Sequence, residues 1–251
     1  MSDLPGQDRI ERFIRDGFVK LENVFPEATA AACRAILWRE TGCDPADPAT
    51  WTQPVIRLGG HSEAPFRDAA TAPVLEAAFD QLVGPGAWVK LGGLGTFPIR
   101  FPSMESAGDD GWHIDMSFGG TADDFLSWRA NVASDGRALL LLVLLSEVGE
   151  DDAPTRLRVG SHVDIARRLA PVGEAGLSLR ELAATGFAES AGRREVAATG
   201  AAGTVYLCHP FLVHAAQRHR GGRVKFMAQP PLFPVGKVGG AVAAATRRAL
   251  A

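Results

Sequence analysis

Six histidines stand in this chain of 251 residues, and one of them, His113, lies two residues before an aspartate in Trp112-His113-Ile114-Asp115. In an extended strand, residues two apart point to one face, so the pair can offer an imidazole and a carboxylate to one metal ion. A second histidine from a distant strand would complete three ligands on one face of an octahedron. Three positions then stay open, which suits a non-haem iron that has to hold a cosubstrate and oxygen together. Further along, residues 203–214 (GTVYLCHPFLVH) and 221–226 (GGRVKF) read as two strands joined by a polar turn. That places a histidine on one strand and a cation on the next, where the cation could pair with an anionic cosubstrate.

The elements that must position these groups change character near residue 90. Before it, Ile10, Phe13 and Ile14 fall at helical spacing and Gly17 stops the run; FVKLENVF is extended. Pro26 then opens a second helix over Ala28–Glu40, ending at Gly42, and a third covers Ala72–Val83. Residues 43–70 read as loop with a short apolar piece at Val55–Leu58. After residue 86, short apolar runs alternate with turn clusters: Thr96–Phe101, Trp112–Asp115, Phe125–Arg129, Arg137–Ser146, Thr155–Val159, Arg194–Ala197, Thr204–Cys208, Phe211–His214 and Val224–Ala228. Such density of short strands predicts a sandwich or barrel. The insertion at 160–190 carries two helix-like pieces, His162–Leu169 and Leu177–Thr185, and reads as a lid over a pocket; Gly239–Ala251 reads as a terminal helix. GGLG at 92–95 opens no helix and reads as a turn.

Composition excludes several classes. The chain is 46% hydrophobic and 22% charged, with 26 Lys and Arg against 29 Asp and Glu, a net charge of −3. No basic excess points to nucleic acid as a partner. The longest apolar run, Ala138–Leu145, is strand-length, so no membrane span is expected. The first residues, MSDLPGQDRIER, lack the apolar region of a signal peptide, and three scattered cysteines (Cys33, Cys43, Cys208) make no disulfide framework. The expected location is the cytoplasm.

Four elements together resemble the phytanoyl-CoA dioxygenase family of Fe(II)/2-oxoglutarate oxygenases. These are the W-H-x-D strand at 112–115, the segment Asp152-Ala153-Pro154-Thr155-Arg156 with Val159-Gly160-Ser161-His162, the H-P-x-x-x-H run at 209–214, and a basic residue eleven positions after the distal histidine. Their order and spacing over about 110–230 are more specific than any one of them. The resemblance implies a mainly β fold with flanking helices, a double-stranded β-helix (jelly-roll, cupin-like) core, in one domain: helical part about 1–90, core about 91–235, insertion about 160–190. It implies that His113, Asp115 and His214 bind Fe(II), with 2-oxoglutarate as cosubstrate and O2 as oxidant. The family anchors the far carboxylate of 2-oxoglutarate on arginine; this chain has Lys225 at that position, with Arg223 two residues before it as the rival. Thr155 and Thr204 are candidates to hydrogen-bond the cosubstrate.

The implied activity is hydroxylation of a small organic or secondary-metabolite substrate, releasing succinate and CO2. Desaturation, epimerisation or cyclisation at the same site is the alternative, and a non-catalytic small-molecule-binding jelly roll is the reading from another class. Retention of Asp115 argues against halogenation, because family halogenases have a small residue there. The remaining histidines read as structural (His209), as a turn or helix start (His162) and as polar-loop residues (His61, His219). Cys208 and Trp112 read as core, and Arg100 and Arg129 as solvated strand-edge charges. Oligomeric state is left open by the sequence.

Overall fold

The computed structural model describes residues 6–121 and 123–251. Helix α1 (Gly6–Asp16) ends where Gly17 takes a left-handed φ of 83°, and β1 (Phe18–Leu21) follows at once. Helix α2 (Glu27–Thr41) starts after Pro26 and closes on Gly42, whose φ of 70° suits a residue without a Cβ. After β2 (Val55–Leu58) comes α3 (Ala64–Ala70), then α4 (Pro73–Leu82) and β3 (Phe97–Arg100). Helix α3 corrects the reading of 43–70 as loop. Its first turn accommodates Pro65, and Phe66, Ala69 and Ala70 are buried at helical spacing, a signal too short to stand out among prolines and aspartates.

The second half is strand-rich. It runs through β4 (Arg129–Ala130), β5 (Leu139–Leu144), β6 (Arg156–Arg158), α5 (Ser161–Leu169), β7 (Leu177–Ser178) and α6 (Leu179–Ala183). Then come β8 (Glu195–Ala197), β9 (Val205–Cys208), β10 (His214–Ala215), β11 (Met227–Ala228), β12 (Pro231–Leu232) and α7 (Gly240–Leu250). Residues 125–127, expected as strand, form a 3-10 turn instead, because the Asp124 side chain accepts from Leu126 N and caps it.

Two antiparallel sheets organise the strands. One has the order β1-β9-β5-β11, with β12 also pairing β5; the other has the order β10-β6-β8. A bridge between Arg100 and Lys225 ties the β2–β3 ribbon to the strand leading into β11. Strand β5 reads LLLLVL and is buried throughout, because each face has its own partners. Leu139, Leu141 and Val143 join a core with Phe13, Leu37, Leu75 and Phe79 of the N-terminal helices. Leu140, Leu142 and Leu144 face inward with Tyr206 and Cys208, and meet Leu157 of the second sheet. Each such leucine contributes about 2 kcal/mol of apolar burial. Among the described residues no helix is long and apolar enough to cross a membrane.

The β2–β3 ribbon continues into a backbone crossing. His61 and Leu94 exchange main-chain hydrogen bonds of 2.8 and 3.0 Å. A Cβ on Gly93 would overlap the His61 carbonyl, so the crossing closes only with glycine there.

The insertion at 160–190 is not one cover. Helix α5 is packed against α7, with Ile165, Ala166 and Leu169 buried. His162 is buried beside His209, their rings 5.1 Å apart, and donates from Nε2 to the Ile14 carbonyl at 3.1 Å. Burial holds the His162 imidazole down at about 4. Unfolded, it titrates near 6.5, so below that pH the unfolded chain binds more protons than the folded one. This contribution is complete above pH 6.5 and is lost as pH falls from there towards 4, by up to roughly 3 kcal/mol. Urea midpoints across that window should fall with acidification in the parent, and more shallowly in His162→Gln.

Candidate active site

His113 and His214 meet across the second sheet. They form a bridge in which each backbone N–H donates to the other's carbonyl, both at 2.9 Å. Residues opposed in this way present their side chains to one face, and the two rings stand edge-on with centroids 4.3 Å apart. Each ring is held the same way by its own chain. His113 Nδ1 donates to Gly111 O and His214 Nδ1 to Leu212 O, both at 2.9 Å. A carbonyl only accepts, so the proton is on Nδ1 and the lone pair on Nε2, which has no hydrogen-bond partner among the described residues. Burial lowers both imidazoles, His214 to about 3. Two neutral imidazoles with free Nε2 atoms, on neighbouring rings lining one cavity, are donors of the kind a transition metal takes.

Asp115 is placed differently. Its N–H donates to Pro210 O at 3.1 Å, and the chain has left the bridge by this residue. The carboxylate is buried, with Oδ2 2.9 Å from Nε of Arg137. The approach is off the hydrogen-bonding direction, so both atoms lack a hydrogen bond and the contact is Coulombic. Burial pushes the acid up to about 6 against the pull of Arg137. Among the described residues no three His, Cys, Asp or Glu side chains are gathered as a ligand set. The structure thus brings the two histidines together and keeps the carboxylate two residues along the same strand, turned to Arg137. The two free imidazole nitrogens fit the metal that the family resemblance implies, and the buried Asp115 carboxylate, which has no hydrogen bond on Oδ2, would have to turn from Arg137 to join them.

Lys225 and Arg223 separate cleanly. Lys225 is 1% exposed, and its Nζ donates to Ala153 O at 2.6 Å. Burial, with Arg100 nearby, lowers the amine to about 7. Arg223 instead lines a second cavity on the outer side, paired with Glu147 at 2.6 Å and Asp152 at 2.8 Å. The expected common face for 223 and 225 fails because residues 221–223 form a bend and strand pairing begins only at Lys225. Thr155 lines the histidine cavity, its hydroxyl 3.9 Å from the Met227 sulfur. Thr204 is buried at a turn against Gly200 and does not line it.

The cavity measures about 520 Å³. Two of its walls were read otherwise from sequence. Arg100 is 6% exposed and reaches into the cavity, bonded to Asp109 at 2.7 Å, because β3 pairs with the Lys225 strand and has no free edge there. Trp112 lines the cavity as well, its outer face covered by Arg158 at 4.0 Å and Arg156 at 4.5 Å. Of the insertion, only Leu179 and Ala183 reach this wall. Arg129 is half-buried and bonds to Ala175 O and Gly176 O. His219 is buried rather than loop-exposed, its Nε2 donating to Arg223 O at 2.7 Å.

Known proteins resemble this chain over most of its length. The family model described as phytanoyl-CoA dioxygenase matches residues 13–227. A search of curated proteins finds no match. Among solved structures, HygX from Streptomyces hygroscopicus, with nickel, 2-oxoglutarate and hygromycin B bound, is similar at a TM-score of 0.59 and 19% identity, over 92% of this chain and 88% of that one. The 2-oxoglutarate-dependent carbocyclase SnoK of nogalamycin biosynthesis gives 0.56 and 14%, over 93% and 87%. The epimerase SnoN of the same biosynthesis gives 0.56 and 17%, over 91% and 81%.

Proposed function

Because this chain belongs to the phytanoyl-CoA dioxygenase family, we propose that it hydroxylates a small organic substrate at the His113–His214 cavity, converting 2-oxoglutarate to succinate and CO2. The family makes it a non-haem, Fe(II)/2-oxoglutarate-dependent oxygenase. The two sheets facing each other across the inner leucines are read as a jelly-roll core, with the N-terminal helices covering its outer face in the same domain.

The observation that carries this reading is the paired imidazoles with free Nε2 atoms. His113 and His214 would hold Fe(II) through those nitrogens, with Asp115 as the third ligand. Bound iron supplies the site at which cosubstrate and O2 meet and from which a substrate C–H bond is oxidised. The chain's own part is positional. The carbonyls of Gly111 and Leu212 fix the ring tautomers and orientations. Lys225, next to cavity-lining Arg100 and Met227, would take the far carboxylate of 2-oxoglutarate, with the Thr155 hydroxyl as a second donor. Trp112 and Leu179 would offer apolar surface to the reacting carbon.

Succinate release should require both Fe(II) and 2-oxoglutarate and rise when a true substrate is added. The product should gain the mass of one oxygen. Unchanged product mass would mean epimerisation, and loss of two hydrogens cyclisation or desaturation; no succinate under any condition would leave a binding protein.

A further inference from the structure

The histidine cavity has a second polar feature, built from the β2–β3 ribbon. Arg100 Nη2 lies 2.7 Å from Oδ2 of Asp109, and the Arg57 guanidinium contacts that same oxygen. Two guanidiniums on one carboxylate leave one positive charge in excess. The Arg100 side chain is only 7% exposed, and its Nε and Nη1 have no partner among the described residues. Neither atom is sealed from solvent, so both stay available to a ligand, and the planar fork of a guanidinium matches a carboxylate.

The cavity mouth is apolar. Phe125 is 56% exposed and Leu126 is 42% exposed, and both line the cavity together with Trp112 and Leu179. Large apolar side chains left open at a cavity mouth mark a ligand surface. The cations and these apolar side chains therefore line one cavity.

Resting on the oxygenase reading above, we propose that the organic substrate is an amphiphilic carboxylate. Its carboxylate takes the free donors of Arg100, with Arg57 closing on it from the solvent side. Its apolar or aromatic body lies on Phe125, Leu126 and Trp112, and turns a C–H bond towards the histidine pair. The cosubstrate is also a carboxylate, but the two seats differ in depth. Lys225 is wholly buried, whereas Arg57 is 55% exposed at the mouth.

The test is anaerobic calorimetry on the enzyme loaded with Fe(II) and 2-oxoglutarate, using 4-phenylbutanoate, 4-phenylbutanamide and 4-phenylbutylamine as probes. The carboxylate should bind about tenfold or more tightly than the amide, and the amine weakest. Arg57→Gln, a loss at a half-exposed side chain, and Arg100→Met should erase that preference without weakening 2-oxoglutarate binding. Arg100→Lys, which keeps the charge without the fork, should fall between parent and Arg100→Met. Equal or tighter binding of amide or amine by the parent, or no binding of any probe, overturns the proposal. So does a loss of 2-oxoglutarate affinity in the arginine variants with probe preference intact, since the cations would then serve the cosubstrate. Titrating the parent with 2-oxoglutarate first separates the two readings: if it does not bind with Fe(II), the oxygenase assignment itself fails and this proposal with it.

Discussion

Replacing His113 or His214 with alanine is expected to abolish 2-oxoglutarate turnover and weaken Fe(II) binding by more than about a hundredfold, since loss of a partner behind a ligand already costs 10–100-fold. The fold should survive. The bridge between the two positions is made by main-chain groups, which alanine retains. What each variant loses is one hydrogen bond, to Gly111 O or Leu212 O, and some packing, together about 2 kcal/mol. Metal affinity by competition with a fluorescent chelator and thermal unfolding of the metal-free protein would separate the effects. Full turnover in either variant would refute the assignment. A collapse of the metal-free fold would show the histidines to be structural. His219→Gln is the control, because that ring serves the turn at Arg223 and does not line the histidine cavity.

Lys225→Ala should raise the apparent 2-oxoglutarate constant well over tenfold, on the order of 2 kcal/mol for a lost charge-assisted hydrogen bond. Arg223→Ala should change it little, because that side chain is engaged on the outer surface with Glu147 and Asp152. Lys225 also predicts a pH dependence. Burial holds its amine at about 7 in the absence of an anion, so the charge that binds the carboxylate is present below that pH and lost above it. Affinity for 2-oxoglutarate should weaken as pH rises through this region. Lys225→Arg should retain partial activity and lose the alkaline limb, since a guanidinium stays charged. If Arg223→Ala proves crippling and Lys225→Ala mild, the anchor roles are reversed.

How far such a site can be read from sequence depends on whether the chain stays in a strand. The faces of His113 and Lys225 follow simple alternation, because both sit in paired backbone. Asp115 and Arg223 lie just beyond those bridges, and there a count of two residues no longer fixes a face. Strand β5 announced itself because both its faces are apolar, and α2 because Pro26 and Gly42 mark its ends. Arg100 did not, since its burial comes from pairing with Lys225, a partner far away in sequence. Nor did α3, whose seven residues carry too few apolar positions to show a period.

The crossing of His61 and Leu94 limits how this cavity can be redesigned. The ribbon bearing Arg57 and Arg100 extends from that crossing, and its register places both guanidiniums on Asp109. Any side chain at Gly93 would pry the two backbones apart and shift both cations together. Engineering for new substrates is therefore freest at the opposite wall, where Phe125, Leu126, Leu179 and Ala183 can change size while the charged wall keeps its place. A library confined to those four positions alters what the cavity admits in shape and leaves untouched what it admits in charge.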